Sequence, residues 1–238
     1  RSACTRSGLI SDLAVGTDPS GSHCWSRQSE MLNGLSVGAP PDLLAPQGQD
    51  WGVTAFSPRG LALCGYRAFI EMLRAALRHA GGVRIDHAMG LARLWVLPAG
   101  AGATEGTYLR FPRQDLMRLV ALESHRHQAV VLGEDLGTVP EGFSEQMVEA
   151  GIAGLRVLFF ERVFDWFRPP AQWTPGAAAM TSTHDLATVA GWWEGRDLDL
   201  RARLGLLHDE TQARADRDRD RALLWAAFRE SGAARHPA

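Results

Sequence analysis

Residues 66–86, YRAFIEMLRAALRHAGGVRID, carry the clearest helix and strand pattern of the chain. Apolar residues at positions 69, 70, 73 and 77 recur at helical spacing, and the pair Gly81-Gly82 ends the predicted helix. The apolar run at 83–85 predicts a short buried strand, which Asp86 follows directly. A helix followed at once by such a strand is typical of α/β proteins.

The same order recurs on both sides of this stretch. Further helices are predicted at 116–128, at 142–150 and from residue 198 onwards. The predicted strands lie within 8–16 and at 83–85, 129–132, 155–160 and 177–180. Alternating helices and short apolar strands predict an α/β fold with a parallel sheet covered by helices.

One domain is predicted over residues 1–238, with a loop-rich insertion at about 17–60. Residues 34–60 hold many Gly and Pro and show no clean periodicity, so they are predicted to form a long loop. Long loops inside compact domains are usually functional, which draws attention to Asp42, Gln49 and Trp51.

The composition is that of an ordinary globular protein. The chain has 238 residues, a formal charge of -2 and 45% hydrophobic residues, so no nucleic-acid partner is indicated. Every basic residue is Arg and none is Lys. This excludes Schiff-base lysine chemistry, pyridoxal enzymes and the P-loop.

Cysteine usage and apolar runs indicate the compartment. Cys4, Cys24 and Cys64 form an odd set without CxxC spacing, so neither a disulfide framework nor a zinc knuckle is predicted. No apolar run reaches the ~18 residues of a membrane span, and no signal-peptide pattern follows Arg1. A cytoplasmic protein without a membrane partner is predicted, and no pattern specifies its oligomeric state.

Four acids, Asp12, Asp86, Glu134 and Asp185, fall within or just after predicted strands. A single acid there is most often a cap of the next helix. Because the carboxyl ends of parallel strands meet at one face, where ligands bind, four such acids are expected to lie together.

Arg84 and Asp86 leave the same face of their strand, because two residues separate equivalent positions. The guanidinium would keep the Asp86 carboxylate ionised, as a nucleophile requires, although a structural ion pair is an equal alternative. Glu134 follows an apolar run, so burial and neighbouring carboxylates would raise its pKa and retain a proton. One ionised and one protonated carboxyl group is the arrangement of glycosidases, and in retaining ones the two groups lie about 5–5.5 Å apart.

A metal-dependent barrel enzyme is the competing interpretation. Asp86-His87, Glu134-Asp135 and His184-Asp185 could supply ligands. Adjacent residues on a strand face opposite ways, so each pair offers at most one ligand unless the backbone breaks. No metal and no cofactor are therefore predicted.

Eight Trp residues favour sugar binding, because sugars stack their apolar faces on aromatic rings. Trp51, in the predicted loop, is the best candidate. Trp95 and Trp225 are predicted to be core residues, and Trp192 and Trp193 could be either.

Seven stretches of the chain resemble the 4-alpha-glucanotransferases, also called amylomaltases or disproportionating enzymes, of glycoside hydrolase family 77 in the alpha-amylase clan. The stretches are SDLAVG (11–16), GAPPD with GQDWG (38–42 and 48–52), VRIDHAMGLARLW (83–95), EGTYLRFP (105–112), GEDLGTVP (133–140), FFER (159–162) and STHDLATVAGWW (182–193). Each is short, but all seven in this order are specific, and the likeness runs from about residue 8 to about residue 232.

The resemblance implies a (β/α)8 TIM barrel and an activity that moves segments of alpha-1,4-glucan between maltooligosaccharides. It implies that Asp86 is the nucleophile, Glu134 the general acid/base and Asp185 the third carboxylate of the site. The implied substrate-binding residues are Asp12, Asp42, Gln49, Trp51, Arg84, His87, Asp135 and His184.

The chain departs from the family in length. Family members have earlier barrel strands before residue 11, and a last strand and a further binding segment after residue 231. Five of eight strands are counted here, which implies an incomplete barrel truncated at both ends. A catalytically incompetent fragment with at most weak glucan binding is therefore the second hypothesis, since an open sheet exposes buried edges.

Overall fold

The computed structural model describes residues 8–42 and 45–234, which form a mixed α/β structure. These residues fall into two compact units, the first ending at Gly154 and the second beginning at Leu155. The prediction of a single domain over residues 1–238 stays a prediction.

The first unit contains seven strands and five helices among the described residues. Its strands are β1 (Ile10–Leu13), β2 (Leu35–Ala39), β3 (Gln49–Val53), β4 (Gly82–Ile85), β5 (Arg93–Pro98), β6 (Thr107–Arg110) and β7 (Val130–Gly133). Its helices are α1 (Ser22–Ser26), α2 (Pro58–Leu63), α3 (Arg67–Leu77), α4 (Arg113–His127) and α5 (Phe143–Glu149).

A parallel sheet of order β1-β4-β7 lies at the centre of this unit and confirms three of the predicted strands. The apolar stripe predicted for α3 does face the core, since Phe69, Leu73 and Leu77 are buried there. Side chains from α4 and α5 join the same core, including Val120 and Phe143. The sheet is thereby fixed, and the residues at its carboxyl end occupy defined positions.

Strand β1 differs from its prediction as a buried strand. Its neighbour Leu9 and its first residue Ile10 are exposed, and only Leu13 of the strand is buried. Within residues 8–42 and 45–234, β1 pairs with β4 alone, so it forms an edge of the sheet. An apolar sequence predicts a strand but not the strand's place in the sheet.

The predicted long loop at 34–60 is wrong in part, because β2 and β3 lie within it. They join β5 and β6 in an antiparallel sheet of order β3-β2-β5-β6 with its own small core, which includes Val37 and Val96. Gly38 is required here, since a Cβ atom would lie 1.9 Å from the carbonyl oxygen of Gln49. Gly38, one of the glycines that suggested a loop, therefore permits close pairing of β2 with β3.

The second unit contains four short strands and three helices among the described residues. They are β8 (Leu155–Val157), β9 (Arg162–Val163), β10 (Trp166–Phe167), β11 (Ala178–Met180), α6 (Val189–Glu194), α7 (Arg196–Arg203) and α8 (Glu210–Glu230). The predicted strands at 155–160 and 177–180 are present as β8 and β11, which pair in parallel, although β8 ends at Val157.

Aromatic rings pack together in the second unit. Phe159 stacks on Trp192 with ring centroids 4.8 Å apart, and Trp193 contacts both Trp192 and Trp225. The guanidinium of Arg217 lies 4.5 Å from the Trp192 centroid. Trp192 therefore packs against other rings of its unit, and the choice between its two predicted roles stays open.

The state of the cysteines and the apolarity of the helices were also predicted from the sequence. Cys24 is buried, Cys64 is exposed and both are free thiols, while Cys4 lies outside the described residues. In the part of the chain that the structure describes, no helix combines the length and the apolarity that crossing a membrane requires.

A buried carboxylate joins α3 to α4 in the first unit. Glu123 is 1% exposed and accepts hydrogen bonds from Arg74 Nε at 2.9 Å and from Arg126 Nη1 at 2.9 Å. The hydrogen bond from Arg74, followed by that from Arg126, lowers the pKa of Glu123 in spite of its burial. The stabilisation is thus present above the unfolded-state pKa and is lost as the pH falls through the lower, folded-state pKa.

Replacing Glu123 with glutamine is expected to lower the free energy of unfolding by about 1–3 kcal/mol at neutral pH, because the charged hydrogen bonds to Arg74 and Arg126 weaken. Urea unfolding at pH 7 and at pH 3 measures the effect, and Glu149→Gln, at an exposed position of α5, is the control. The difference from the unaltered chain should shrink at pH 3, and an equal difference at both pH values would contradict the assignment.

Candidate active site

Arg84 lies at the centre of the acidic group at the carboxyl end of the parallel sheet. It faces Asp12 across the β1–β4 pair, and its Nη1 donates to the two carboxylate oxygens of Asp12 at 2.8 and 3.0 Å. Its Nη2 lies 2.9 Å from Asp86 Oδ1 and 3.9 Å from Glu134 Oε2. Three of the four predicted acids therefore surround one guanidinium.

The backbone pairing explains why these acids meet. Asp86 directly follows β4 and Glu134 directly follows β7, and β4 and β7 are hydrogen-bonded neighbours in parallel register. The Glu134 amide donates to the Ile85 carbonyl at 3.0 Å, which extends the pairing by one residue. Local apolar runs in the sequence thus place both acids at the same edge.

The two carboxylates are close but differ in environment. Their distances to Arg84 Nη2 limit the separation of Asp86 Oδ1 and Glu134 Oε2 to at most about 6.8 Å, which admits the ~5–5.5 Å typical of retaining glycosidases. The Asp86 side chain is 32% exposed, whereas that of Glu134 is 15% exposed.

Burial raises the pKa of Glu134, as the sequence predicted, and the charge of Asp86 raises it further. The opposing influences are the amide of His87, which donates to Glu134 Oε2 at 2.7 Å, the charge of Arg84 and the amide of Leu136. The net shift is upward, because desolvation is the largest influence. Glu134 is thereby suited to keep a proton that it can donate.

His87 connects these carboxylates to the antiparallel sheet. Its ring lies edge-on to that of Trp51, with centroids 5.2 Å apart. Burial lowers the pKa of His87 to about 4 despite the nearby charge of Asp86, so its imidazole is neutral at pH 7. Trp51 Nε1 in turn donates to Gln49 Oε1 at 2.8 Å, so Trp51 contacts both His87 and Gln49.

Asp135 and Asp42 each accept a hydrogen bond from a nearby group of the protein. Asp135 is 7% exposed and accepts a hydrogen bond from Ser144 at 3.2 Å, and its carboxylate lies against Gly154. Asp42 accepts a hydrogen bond from the Ala45 amide at 2.6 Å. Their assignment as substrate-binding residues stays a prediction.

Asp185 and His184 belong to the second unit, in the segment between β11 and α6. His184 Nε2 lies 3.3 Å from Asp185 Oδ2, and both side chains are well exposed, at 64% and 72%. The Asp185 amide donates to Thr183 Oγ1 at 3.3 Å. The prediction that Asp185 joins Asp86 and Glu134 stays a prediction.

Two residues that the sequence did not predict to be functional, Arg93 and Tyr108, hold the loop after Glu134. The guanidinium of Arg93 on β5 lies 4.0 Å from the ring centroid of Tyr108 on β6 and donates to the Thr138 carbonyl at 3.3 Å. The Tyr108 hydroxyl lies 3.1 Å from Thr138 Oγ1. All three lie in stretches that resemble the family, and the pairing of β5 with β6 brings Arg93 and Tyr108 together.

A cavity of about 270 Å³ opens beside Asp86 and His87. Its remaining wall is mostly apolar, with Leu13, Phe56 and Phe111 among its members. As for a metal, the described residues contain no group of three or more His, Cys, Asp or Glu side chains arranged to hold one. The metal-dependent interpretation thus has no ligand set in the described part of the chain.

Two neighbouring carboxylates at parallel strand ends, one of them with a raised pKa, are typical of α/β proteins that process glycosides through two carboxyl groups. The sequence model of the 4-alpha-glucanotransferases, glycoside hydrolase family 77, matches residues 2–236. The chain belongs to this family.

Individual relatives agree with the assignment. The chain is 42% identical over 231 residues to a 4-alpha-glucanotransferase of Mycobacterium tuberculosis, covering 94% of this chain and 32% of that protein. It is 38% identical to the Haemophilus influenzae 4-alpha-glucanotransferase, covering 85% of this chain and 29% of that protein. The crystal structure of amylomaltase from Corynebacterium glutamicum is similar with a TM-score of 0.91 and 37% identity, covering 95% of this chain and 32% of the other.

These comparisons also give the extent of the likeness. The chain spans about a third of the length of the curated relatives that it matches. This chain therefore belongs to the family, while the activity of the whole protein is a proposal.

Proposed function

We propose that the whole protein is a 4-alpha-glucanotransferase that moves alpha-1,4-glucan segments between maltooligosaccharides by a retaining double displacement. The observation that carries the proposal is the placement of Asp86 and Glu134 around Arg84, with Asp86 paired to the guanidinium and the pKa of Glu134 raised by burial. Membership of the family supplies the substrate class.

In the first step, a carboxylate oxygen of Asp86 attacks the anomeric carbon of the donor glucan while the bond to the leaving 4-oxygen breaks. Glu134 gives its proton to that oxygen, so the shortened glucan leaves with a 4-hydroxyl and the glycosyl group stays on Asp86. Arg84, whose Nη2 lies 2.9 Å from Asp86 Oδ1, holds the attacking carboxylate in place.

In the second step, the 4-hydroxyl of an acceptor glucan attacks the same anomeric carbon. Glu134, now a carboxylate, takes the hydroxyl proton, and the bond from the sugar to Asp86 breaks. Two inversions restore the original alpha configuration. Water in place of the acceptor would give hydrolysis, so the choice depends on acceptor binding.

The other predicted residues have supporting roles in this proposal. Asp185 is the third carboxylate, which binds sugar hydroxyls, and His184 binds beside it. Trp51 and Gln49 contribute a stacking face and an amide from β3, and Asp42, Asp12 and Asp135 shape the groove. No cofactor or metal enters any step, and a cytoplasmic location is part of the proposal.

The fold of the whole protein is proposed to be a (β/α)8 barrel of which this chain forms part. The parallel pairs β1-β4-β7 and β8-β11 support this proposal. The exposed apolar residues Ile10, on edge strand β1, and Leu9, directly before it, favour the second candidate for the isolated chain, an incompetent fragment that binds glucan at most weakly.

Incubation with maltotriose tests both candidates. The whole protein is expected to form glucose together with maltooligosaccharides longer than maltotriose, and the same products after treatment with a chelator would exclude the metal-dependent alternative. The 238-residue chain, shown to be folded by near-ultraviolet circular dichroism, is assayed beside it. If the whole protein forms glucose and maltose alone, it is a hydrolase and the transfer proposal is wrong.

A further inference from the structure

Three hydrogen bonds join Glu134 to the end of β4 and to the turn that follows it. The Glu134 amide donates to the Ile85 carbonyl at 3.0 Å, and the Ala88 amide donates to the Glu134 carbonyl at 2.9 Å. Between them, the His87 amide donates to the Glu134 side chain at Oε2, at 2.7 Å. The first two bonds fix the backbone of Glu134, and the third fixes its carboxylate.

The donor of the third bond, residue 87, has an unusual backbone conformation. His87 has φ 43° and ψ 61°, in the left-handed region that side chains other than that of glycine disfavour. In this conformation the chain turns sharply after Asp86, the amide of residue 87 points at Glu134, and the imidazole lies against Trp51. Packing that keeps a residue in such a region is a sign of a functional constraint.

The amide of His87 is one of several groups that shift the pKa of Glu134. Asp86 and burial disfavour the ionised carboxylate, whereas Arg84 and the amides of His87 and Leu136 favour it. The His87 bond is the strongest of these opposing influences. The His87 imidazole itself is neutral at pH 7 and is therefore not a source of protons for the reaction.

We propose that His87 is a positioning residue for Glu134, which acts through its left-handed backbone amide while its imidazole packs against Trp51. A group that must donate a proton in one step and accept one in the next needs a fixed orientation in both charge states. The inference rests on the proposed function in one respect, namely that Glu134 is the acid/base.

The test separates the backbone of residue 87 from its side chain. Glycine and asparagine adopt the left-handed conformation readily, whereas valine, which is β-branched, does not. The variants His87→Gly, His87→Asn and His87→Val are made in this chain, and the Glu134 carboxyl group is titrated by ¹³C NMR. Its signal is assigned by its loss in Glu134→Gln.

His87→Val is expected to raise the pKa of Glu134 by about one unit, because a hydrogen bond to the ionised form is lost. His87→Gly and His87→Asn are expected to leave the pKa of Glu134 close to its original value. The inference is overturned if the glycine and asparagine variants raise this pKa as much as valine does, or if valine leaves it unchanged.

A substitute variant and a pH profile of kcat/KM complete the test. If His87→Val does not fold, His87→Ala takes its place, with a smaller rise expected because alanine tolerates the conformation better. In the whole protein, the basic limb of the kcat/KM profile should move upward with valine and not with glycine. If the proposed function is wrong, the unaltered whole protein forms no maltooligosaccharide longer than maltotriose, while the titration of Glu134 still reports on the amide.

Discussion

Replacing Asp86 with asparagine in the whole protein is expected to abolish the covalent glycosyl-enzyme and to lower turnover of maltotriose by ~10³-fold or more. The amide has nearly the same shape as the carboxylate and still lies beside Arg84, but its oxygen is a poor nucleophile. The measurement is the intact mass of the protein after reaction with a 5-fluoro-glucosyl fluoride, which slows the breakdown of the intermediate.

The matched control is Asp12→Asn, because Asp12 also bonds to Arg84 but is not proposed to attack the sugar. This variant should still gain the mass of the glycosyl group, although its turnover falls through loss of the charge beside Arg84. Peptide mapping should place the label on Asp86. A label on another residue, or a labelled Asp86→Asn protein, would assign the nucleophile elsewhere.

The predictions from sequence succeeded where the signal was local. A short apolar run followed by an acid predicted β4 with Asp86 and β7 with Glu134, and parallel pairing alone then brings the two acids together. The raised pKa of Glu134 followed from the same pattern, since burial at the end of an apolar strand is its largest cause.

The predictions failed where the structure depends on contacts between distant residues. β2 and β3 looked like a loop because β5, a partner of β2, lies far along the chain and because Gly38 serves close pairing of β2 with β3 rather than a turn. The bond between Arg84 and Asp12 joins residues 72 positions apart, and no spacing rule gives its geometry. The left-handed backbone of His87 is likewise invisible in the letters RIDH, because the residue type alone does not specify that conformation.

Replacing Glu134 with glutamine is expected to lower turnover of maltotriose by ~10²-fold or more, as loss of a general acid does. The carbonyl oxygen of the new side-chain amide can still accept the His87 amide hydrogen, so the geometry of the site is retained while the proton is lost. The unaltered enzyme should lose kcat/KM as the pH rises through the raised pKa of Glu134, because only the protonated form starts the first step. In Glu134→Gln this basic limb should disappear.

The leaving group distinguishes the acid from the nucleophile. Fluoride departs without protonation, so Glu134→Gln should form the glycosyl-enzyme from alpha-maltosyl fluoride far faster than from maltotriose, whereas Asp86→Asn should be slow with both donors. Near-normal rates of Glu134→Gln on maltotriose would remove Glu134 from the acid/base role. An equal loss on both donors would instead show that Glu134 shapes the site on which Asp86 depends, since only a group that transfers the proton is made dispensable by a leaving group that needs none.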